Sequence, residues 1–437
     1  MLDLAVHAQR RNAVMERLGA NAVLLVASLP ERLRSGDAHY GFRQHSDVLY
    51  LTGFAEPQTV VLLRPGAATE SFVMFVRPRD PEAETWDGRR AGLEGAQAIY
   101  GADAAYPIAE LATRLPALIG NKDELHYALG LDDKLDALVT STLAALRGRE
   151  KRGQWTPRAV VDPRYSLHEA RLRKQPDEIA TLQRAAAITA DAHVAAMRAG
   201  RPGRYEYELE ALLSYEFRRH GGAGPGYTSI VGAGVNATIL HYIENASPIA
   251  DGDLVLVDAG GEVAGYTADV TRTWPANGRF SSVQRHAYQL VLDVQKSAIE
   301  LVRPGATLEQ LHNHCVRGLT AAMIELGLLS GSVDDRVADQ AFRKFYMHGT
   351  SHWLGLDVHD VGPYLQNGKA RPLEPGMVIT VEPGLYVAAD PNVAAAFHGL
   401  GIRIEDDILV TADGYLNLTA ACPKEIAELE AICGNAA

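Results

Sequence analysis

From residue 3 to residue 18, Val6, Arg10, Val14 and Leu18 recur three or four positions apart, a period that predicts an amphipathic helix. The pattern then changes. ANAVLLVAS (20–28), TVVLLRPG (59–66) and SFVMFVRP (71–78) are short apolar, β-branched runs closed by turn formers, and they predict buried strands. FRQHSDVLYLTGFAEP (42–57), aromatic and polar together, reads as a strand plus loops. The first third is therefore α/β in character. A long helix is predicted from Pro176, a good first helical position, through Ile179, Leu182, Ala186 and Met197 to Gly200. Asp177 and Glu178 complement its N-terminal dipole.

Between these regions RGREKRGQWTPR (147–158) is basic, polar and broken by Gly and Pro, the composition of a linker. We place a domain boundary just beyond it, giving an N-terminal domain over 1–165 and a C-terminal domain over 166–437. One weak repeat is visible. Helix, Arg201-Pro202-Gly203, helix recurs as helix, Arg303-Pro304-Gly305, helix, with acidic residues Glu206 and Glu309 at the following helix starts. Either two connections share a common turn, or an αβ half-domain is duplicated with a site between its halves.

At 437 residues the chain exceeds one typical domain core. A net charge of −12 argues against nucleic acid as partner, because phosphates require a basic surface. No apolar stretch approaches the ~20 residues that span a bilayer, so no membrane association is expected. The charged N-terminal segment lacks the apolar core of a signal peptide. Cys315, Cys422 and Cys433 are odd in number and form no C-x-x-C pair, which suits a reducing compartment; a cytoplasmic location is expected.

The chemistry lies between about 225 and 410. LVLVDAG (254–260) reads as a buried strand ending in Asp258, and YTADVTRTW (266–274) as a returning strand with Asp269 inside it. An aspartate in a β-branched run is unfavourable without a partner. FYMHGTSHWLGLDVHDVG (345–362) brings His348, His352 and His359 together among glycines that allow close backbone approach. LEPGMVITVEPGLY (373–386) puts Glu382 at the end of an apolar strand, and GIRIEDDILVT (401–411) puts Glu405 inside another. Asp258, Asp269, His352, Glu382 and Glu405 thus offer four carboxylates and one imidazole in apolar surroundings. Such a cluster would be forced to protonate unless cations neutralised it, and two divalent ions balance the charge. Oxygen-rich ligation with one histidine suits Mn²⁺, with Co²⁺ or Zn²⁺ as competitors. Two such ions ~3.5–4 Å apart can hold a bridging hydroxide nucleophile and polarise a carbonyl.

HGTSHWLGLDVHD, EPGMVITVEPGLY and GIRIEDD resemble the metal-dependent pita-bread peptidases, which include methionine aminopeptidase, prolidase and aminopeptidase P. With HYIEN (241–245), DLVLVDAGGEVAGYTADVTRTWP (253–275) and the N-terminal RQHSDVLYLTGF, the likeness to the bacterial aminopeptidases P covers nearly the whole chain. It implies an α/β N-terminal domain followed by an α+β pita-bread domain with pseudo-twofold symmetry. It also implies hydrolysis of the bond between an N-terminal residue and a following proline, on a proline-containing peptide.

Carried onto matching positions, the resemblance makes Asp258 and Asp269 ligands of one metal, with Asp269 bridging. His352 and Glu382 would complete the second, and Glu405 would bridge both. Glu382 would also shuttle a proton to the leaving proline nitrogen. His359 would hydrogen-bond the scissile carbonyl or its oxyanion, and His241 and His348 would line the proline pocket, His241 within the catalytic set. Arg403 and Tyr386 would orient carboxylates and substrate, and Tyr227 would bind substrate. Arg371 is the residue that could bind a dipeptide's carboxylate, as a prolidase requires. Trp86, in the polar run PEAETWDGRRAG, has no core of its own and matches a tryptophan that reaches a neighbouring subunit's site; a homotetramer is implied, with a dimer as alternative. Prolidase is the rival activity, and a catalytically inactive pita-bread binding module the rival class.

Overall fold

The computed structural model describes residues 4–433 and separates into two compact units, the first running through Arg171 and the second beginning at Leu172. The division falls within the helix Arg164–Leu172, just past the expected boundary. The basic stretch 147–158 is not a free linker: it leads into the strand Ala159–Val161, which completes the first unit's sheet.

That sheet has six strands, in the order Ala104–Pro107, Phe72–Val76, Val60–Leu63, Ala22–Ala27, Glu124–His126, Ala159–Val161. Ala22–Ala27 pairs antiparallel with Val60–Leu63 and parallel with Glu124–His126. The inner strands are buried on both faces, which explains why they read as unbroken apolar runs rather than alternating ones. Val23, Leu25, Leu62 and Phe75 pack against Leu115, Ile119, Val139 and Leu143. The first helix, Leu4–Leu18, buries Arg10 and Val14 as the period requires. Arg10 is tolerated there because its guanidinium lies 4.6 Å from the centroid of the Tyr50 ring.

One element differs from expectation. Ser46–Thr52 is a helix, not a strand. The His45 side chain accepts from the Asp47 amide at its start, and Gly53, at φ 68°, ends it by donating to the Leu49 carbonyl. Caps decided the outcome over β-propensity. Asp47 in that first turn is buried. Burial would raise its carboxyl, but the Arg171 guanidinium 2.7 Å away holds it well below the usual carboxylate range. The polar run around Trp86 forms a second short helix, Pro81–Asp87; Asp80 caps it and Pro81 opens it.

In the second unit the helix Pro176–Ala199 begins at Gln175, whose backbone N–H donates to Glu178, and buries Leu182, Ala186 and Met197. The Arg-Pro-Gly repeat is geometric. Gly203 at φ 89° donates to the Ile249 carbonyl, and Gly305 at φ 87° donates to the Leu373 carbonyl, both at 2.9 Å. Isolated bridges Tyr205–Pro248 and Thr307–Pro372 follow at the same offsets. After the first helix pair comes an antiparallel strand pair, Leu254–Asp258 with Thr271–Pro275. After the second comes Val378–Val381 with Asp406–Val410. This is the duplicated half-domain, and Val255, Val257, Trp274, Leu385 and Ile402 share one core between the halves. Among the described residues no helix is long and apolar enough to cross a membrane.

Candidate metal centre and cleft

The strand pairs deliver their carboxylates at corresponding places. Asp258 ends Leu254–Asp258, and Glu382 directly follows Val378–Val381. Asp269 and Glu405 stand just ahead of the returning strands Thr271–Pro275 and Asp406–Val410. Both were expected inside strands, and both sit in breaks. The Asp269 amide leaves the ladder and donates to Asp407 Oδ2 at 3.1 Å, while the Glu405 amide donates across the halves to the Thr271 carbonyl. At Gly260, beside Asp258, a Cβ would run into the Ala268 carbonyl, so this turn requires glycine.

Asp269, His352 and Glu405 bring one ligand atom each to within 4.8 Å of one another. His352 Nε2 lies 3.3 Å from Asp269 Oδ2 and 3.5 Å from Glu382 Oε1. Its Nδ1 faces the Trp353 carbonyl at 3.0 Å, and a carbonyl only accepts, so Nδ1 carries the hydrogen and Nε2 faces the carboxylates. The Tyr227 hydroxyl sits 2.6 Å from both Asp258 Oδ1 and Asp269 Oδ1, and burial and the two aspartates push it well above the ordinary phenol range. The five predicted ligands therefore converge on one cleft of about 450 Å³, which also takes His241, His348, His359 and Arg403 into its wall.

Electrostatics show what is uncompensated. Burial pushes Glu382 up to about 7, offset in part by His352 and reinforced by Asp269; burial and neighbouring carboxylates also raise Asp269 and raise Glu405 well above the usual range. For His352 burial works downward, but Asp269 and Glu382 overcome it and push the ring up to about 9. His348 moves the other way, to about 3, through burial and the nearby Arg403. Its bonding agrees. Arg403 Nη1 donates to the Tyr386 hydroxyl at 3.0 Å, and that hydroxyl stands 2.8 Å from His348 Nε2. His348 Nδ1 lies 2.7 Å from the Gly349 carbonyl, so it carries the hydrogen, and Tyr386 donates to Nε2. The 3.7 Å approach of His348 to Glu382 is then not an ion pair. Burial lowers His359, whose ring stands edge-on to His352 at 4.3 Å.

Arg403 spans three groups: Asp258 Oδ2 at 2.6 Å, Tyr386 at 3.0 Å and Thr271 Oγ1 at 3.0 Å. Tyr386 and Tyr227 thus stand behind the cleft rather than along its wall. Arg371 does not reach the cleft. It is buried and paired with Glu374 at 3.3 Å, so a substrate carboxylate has no access to it. Trp86 belongs to the first unit and is 84% exposed. Two residues missed in the sequence hold carboxylates: Thr271 donates to Glu405 at 2.6 Å and Thr380 to Glu382 at 3.1 Å. Thr380 precedes Glu382 by two positions, the period of one strand face, and that spacing was the available signal. Leu240, Ser351 and Tyr364 also line the cleft.

The geometry has counterparts. Metallopeptidase family M24 matches residues 180–412, and the N-terminal domain of aminopeptidase P matches residues 7–127. The chain is 45% identical over 425 residues to an Xaa-Pro aminopeptidase of Escherichia coli (strain K12), covering 97% of this chain and 96% of that protein. It superposes on Pseudomonas aeruginosa aminopeptidase PepP with TM-score 0.98 at 46% identity, covering 100% and 99% of the two chains. Zn-substituted E. coli aminopeptidase P in complex with product gives TM-score 0.96 at 44% identity, covering 100% and 99%. The fold is the expected one: an α/β N-terminal domain followed by a pita-bread domain with pseudo-twofold symmetry.

Proposed function

The chain belongs to metallopeptidase family M24, and from that premise we propose that it is an Xaa-Pro aminopeptidase, releasing an N-terminal residue when proline follows it. The observation that carries this reading is the convergence of four carboxylates and the His352 imidazole in a buried cleft wall. Arg403 is the cation that pairs with Asp258, while Asp269, Glu382 and Glu405 are all raised by burial and mutual repulsion. A donor set of hard oxygens with one imidazole, whose second nitrogen is already tied to a carbonyl, fits a pair of divalent ions. Asp258 and Asp269 would hold one, His352 and Glu382 the other, with Asp269 and Glu405 shared; Mn²⁺ suits the set best. When bound, such a pair makes water nucleophilic at neutral pH and polarises the scissile carbonyl.

The chain's own residues do the rest. Glu382 accepts the proton of the attacking water and delivers it to the proline nitrogen, which must be protonated to leave. His359 donates to the carbonyl oxygen as negative charge develops there. His241 and the neutral His348 shape the proline pocket. Arg403 and Tyr227 orient Asp258, and Tyr386 orients His348. Trp86, at 84% exposure, is an anchor for assembly into a homo-oligomer, a tetramer in our reading, in which it reaches another copy's cleft. We place the enzyme in the cytoplasm, where its three buried, unpaired cysteines stay reduced.

The test is a rate comparison with Mn²⁺ supplied. Xaa-Pro-Xaa tripeptides should be cleaved much faster than Xaa-Pro dipeptides, and peptides with alanine in place of proline should be poor substrates. Preference for dipeptides would identify a prolidase instead.

A further inference from the structure

His359 lines the cleft from an irregular segment, 354–360, that belongs to no helix or strand. Something must hold such a loop if one of its side chains is to meet a reacting carbonyl within fractions of an ångström. The adjacent residue, Asp360, turns away from the cleft and is buried against Lys174. Their charged atoms lie 2.8 Å apart, and each side chain is 1% exposed. Lys174 is itself fixed, its backbone N–H donating to the Gly376 carbonyl at 2.7 Å and its ammonium lying 3.4 Å from the Leu172 carbonyl. Gly355 leaves the room this pair occupies: a Cβ there would meet the Asp360 carboxylate and come within 2.9 Å of Lys174 Cε.

The pair also reaches the metal-binding side. The Asp360 amide donates to the Trp353 carbonyl at 2.8 Å, the same oxygen that receives His352 Nδ1–H at 3.0 Å. Trp353 is fully buried and bridged to Ile379. One carbonyl therefore ties the orientation of the His352 ring to the position of Asp360, and the rings of His352 and His359 stand edge to face.

We infer that the Lys174–Asp360 ion pair is a positioning device that sets the His359 loop and, through the Trp353 carbonyl, the His352 ring. Stability alone does not account for it. A fully buried ion pair loses much of its attraction to desolvation, and an apolar pair of similar size often serves stability as well or better. What the charged pair adds is direction, because it fixes one carboxylate oxygen against one ammonium. The inference rests on the proposed role of His359 in peptide hydrolysis.

The experiment uses Lys174→Met, which removes the ammonium and keeps the Asp360 carboxylate, beside the paired apolar variant Lys174→Met/Asp360→Leu, which removes both charges of the pair. Both are assayed at full metal loading on an Xaa-Pro-Xaa peptide. We expect the paired variant to melt near the parent temperature yet show kcat reduced tenfold or more at little-changed KM. Adding His359→Ala should then cost less than about tenfold further, against ~10²–10³-fold in the parent, since a misplaced donor has little left to lose. A paired variant that recovers both parental stability and parental kcat would overturn the inference, as would an undiminished effect of His359→Ala within it. A parent that fails to cleave the peptide would instead overturn the functional reading.

Discussion

The two halves of the second unit present carboxylates at corresponding ends of corresponding strands and hold them in different ways. Asp258, in the first half, is gripped by the Arg403 guanidinium at 2.6 Å and by the Tyr227 hydroxyl. Glu382, its counterpart, receives the Thr380 hydroxyl at 3.1 Å and faces His352 at 3.5 Å. Asp258 has a permanent cation fixed against it; Glu382, held by neutral or titratable groups in a buried wall, is pushed up to about 7 and can exchange a proton. A duplicated scaffold has thus produced one carboxylate fixed by a guanidinium and one held by a hydroxyl and an imidazole. That asymmetry suits a pair of metals on which only one side must carry a proton to a leaving group.

The largest effect should come from Glu382→Gln. The amide keeps the shape but neither neutralises a cation nor carries a proton, so kcat should fall about 10³-fold or more, near the upper range for a lost acid–base group. Steady-state kinetics with metal content measured alongside would check this.

Arg403→Met attacks the other half and should act less severely, lowering kcat/KM by ~10–100-fold, the scale for a residue that orients a metal ligand. Arg403→Lys should recover only part of the loss, because one ammonium cannot serve Asp258, Tyr386 and Thr271 in the guanidinium's fixed geometry. Full recovery with lysine would mean that charge alone matters at Asp258.

Much of this site is legible in the sequence. Glu382 after MVITV is a carboxylate at the end of a run that otherwise avoids charge, and Glu405 lies within an otherwise β-branched run; a buried carboxylate in such a place needs a cationic explanation. The Arg-Pro-Gly repeat left duplication open beside a merely shared turn, and the matched bonds of Gly203 and Gly305 favour duplication. What stayed hidden depended on tertiary direction. Arg371 was open to reading as a substrate ligand because its burial and its Glu374 partner cannot be seen in the chain. The helix Ser46–Thr52 was read as a strand because aromatic and β-branched content outweighed the quieter signals of His45 and Gly53 at its ends. Tyr227 was expected to serve substrate, and only the fold shows its hydroxyl joining two aspartates. Lys174, more than 180 residues from Asp360, carried no signal at all.

The smallest effect sharpens the comparison. Thr380→Val removes one neutral donor from Glu382, worth about 1 kcal/mol net, and should lower kcat only about fivefold. A loss approaching that of Glu382→Gln would show that Glu382 is held as firmly as Asp258, and the proposed asymmetry would fail. Measured in one assay series, the three substitutions should rank Glu382, Arg403, Thr380.

In the proposed function the cleft between the halves takes a pair of divalent ions and hydrolyses peptides with them. Calorimetric titration of the chelator-treated protein with Mn²⁺ tests it directly, with cleavage of an Xaa-Pro-Xaa peptide followed along the same titration. We predict about two ions bound per chain, with activity absent at the start and restored as the sites fill. A protein that binds no ion, or cleaves the peptide fully before any is added, would rule out a metal-dependent hydrolase.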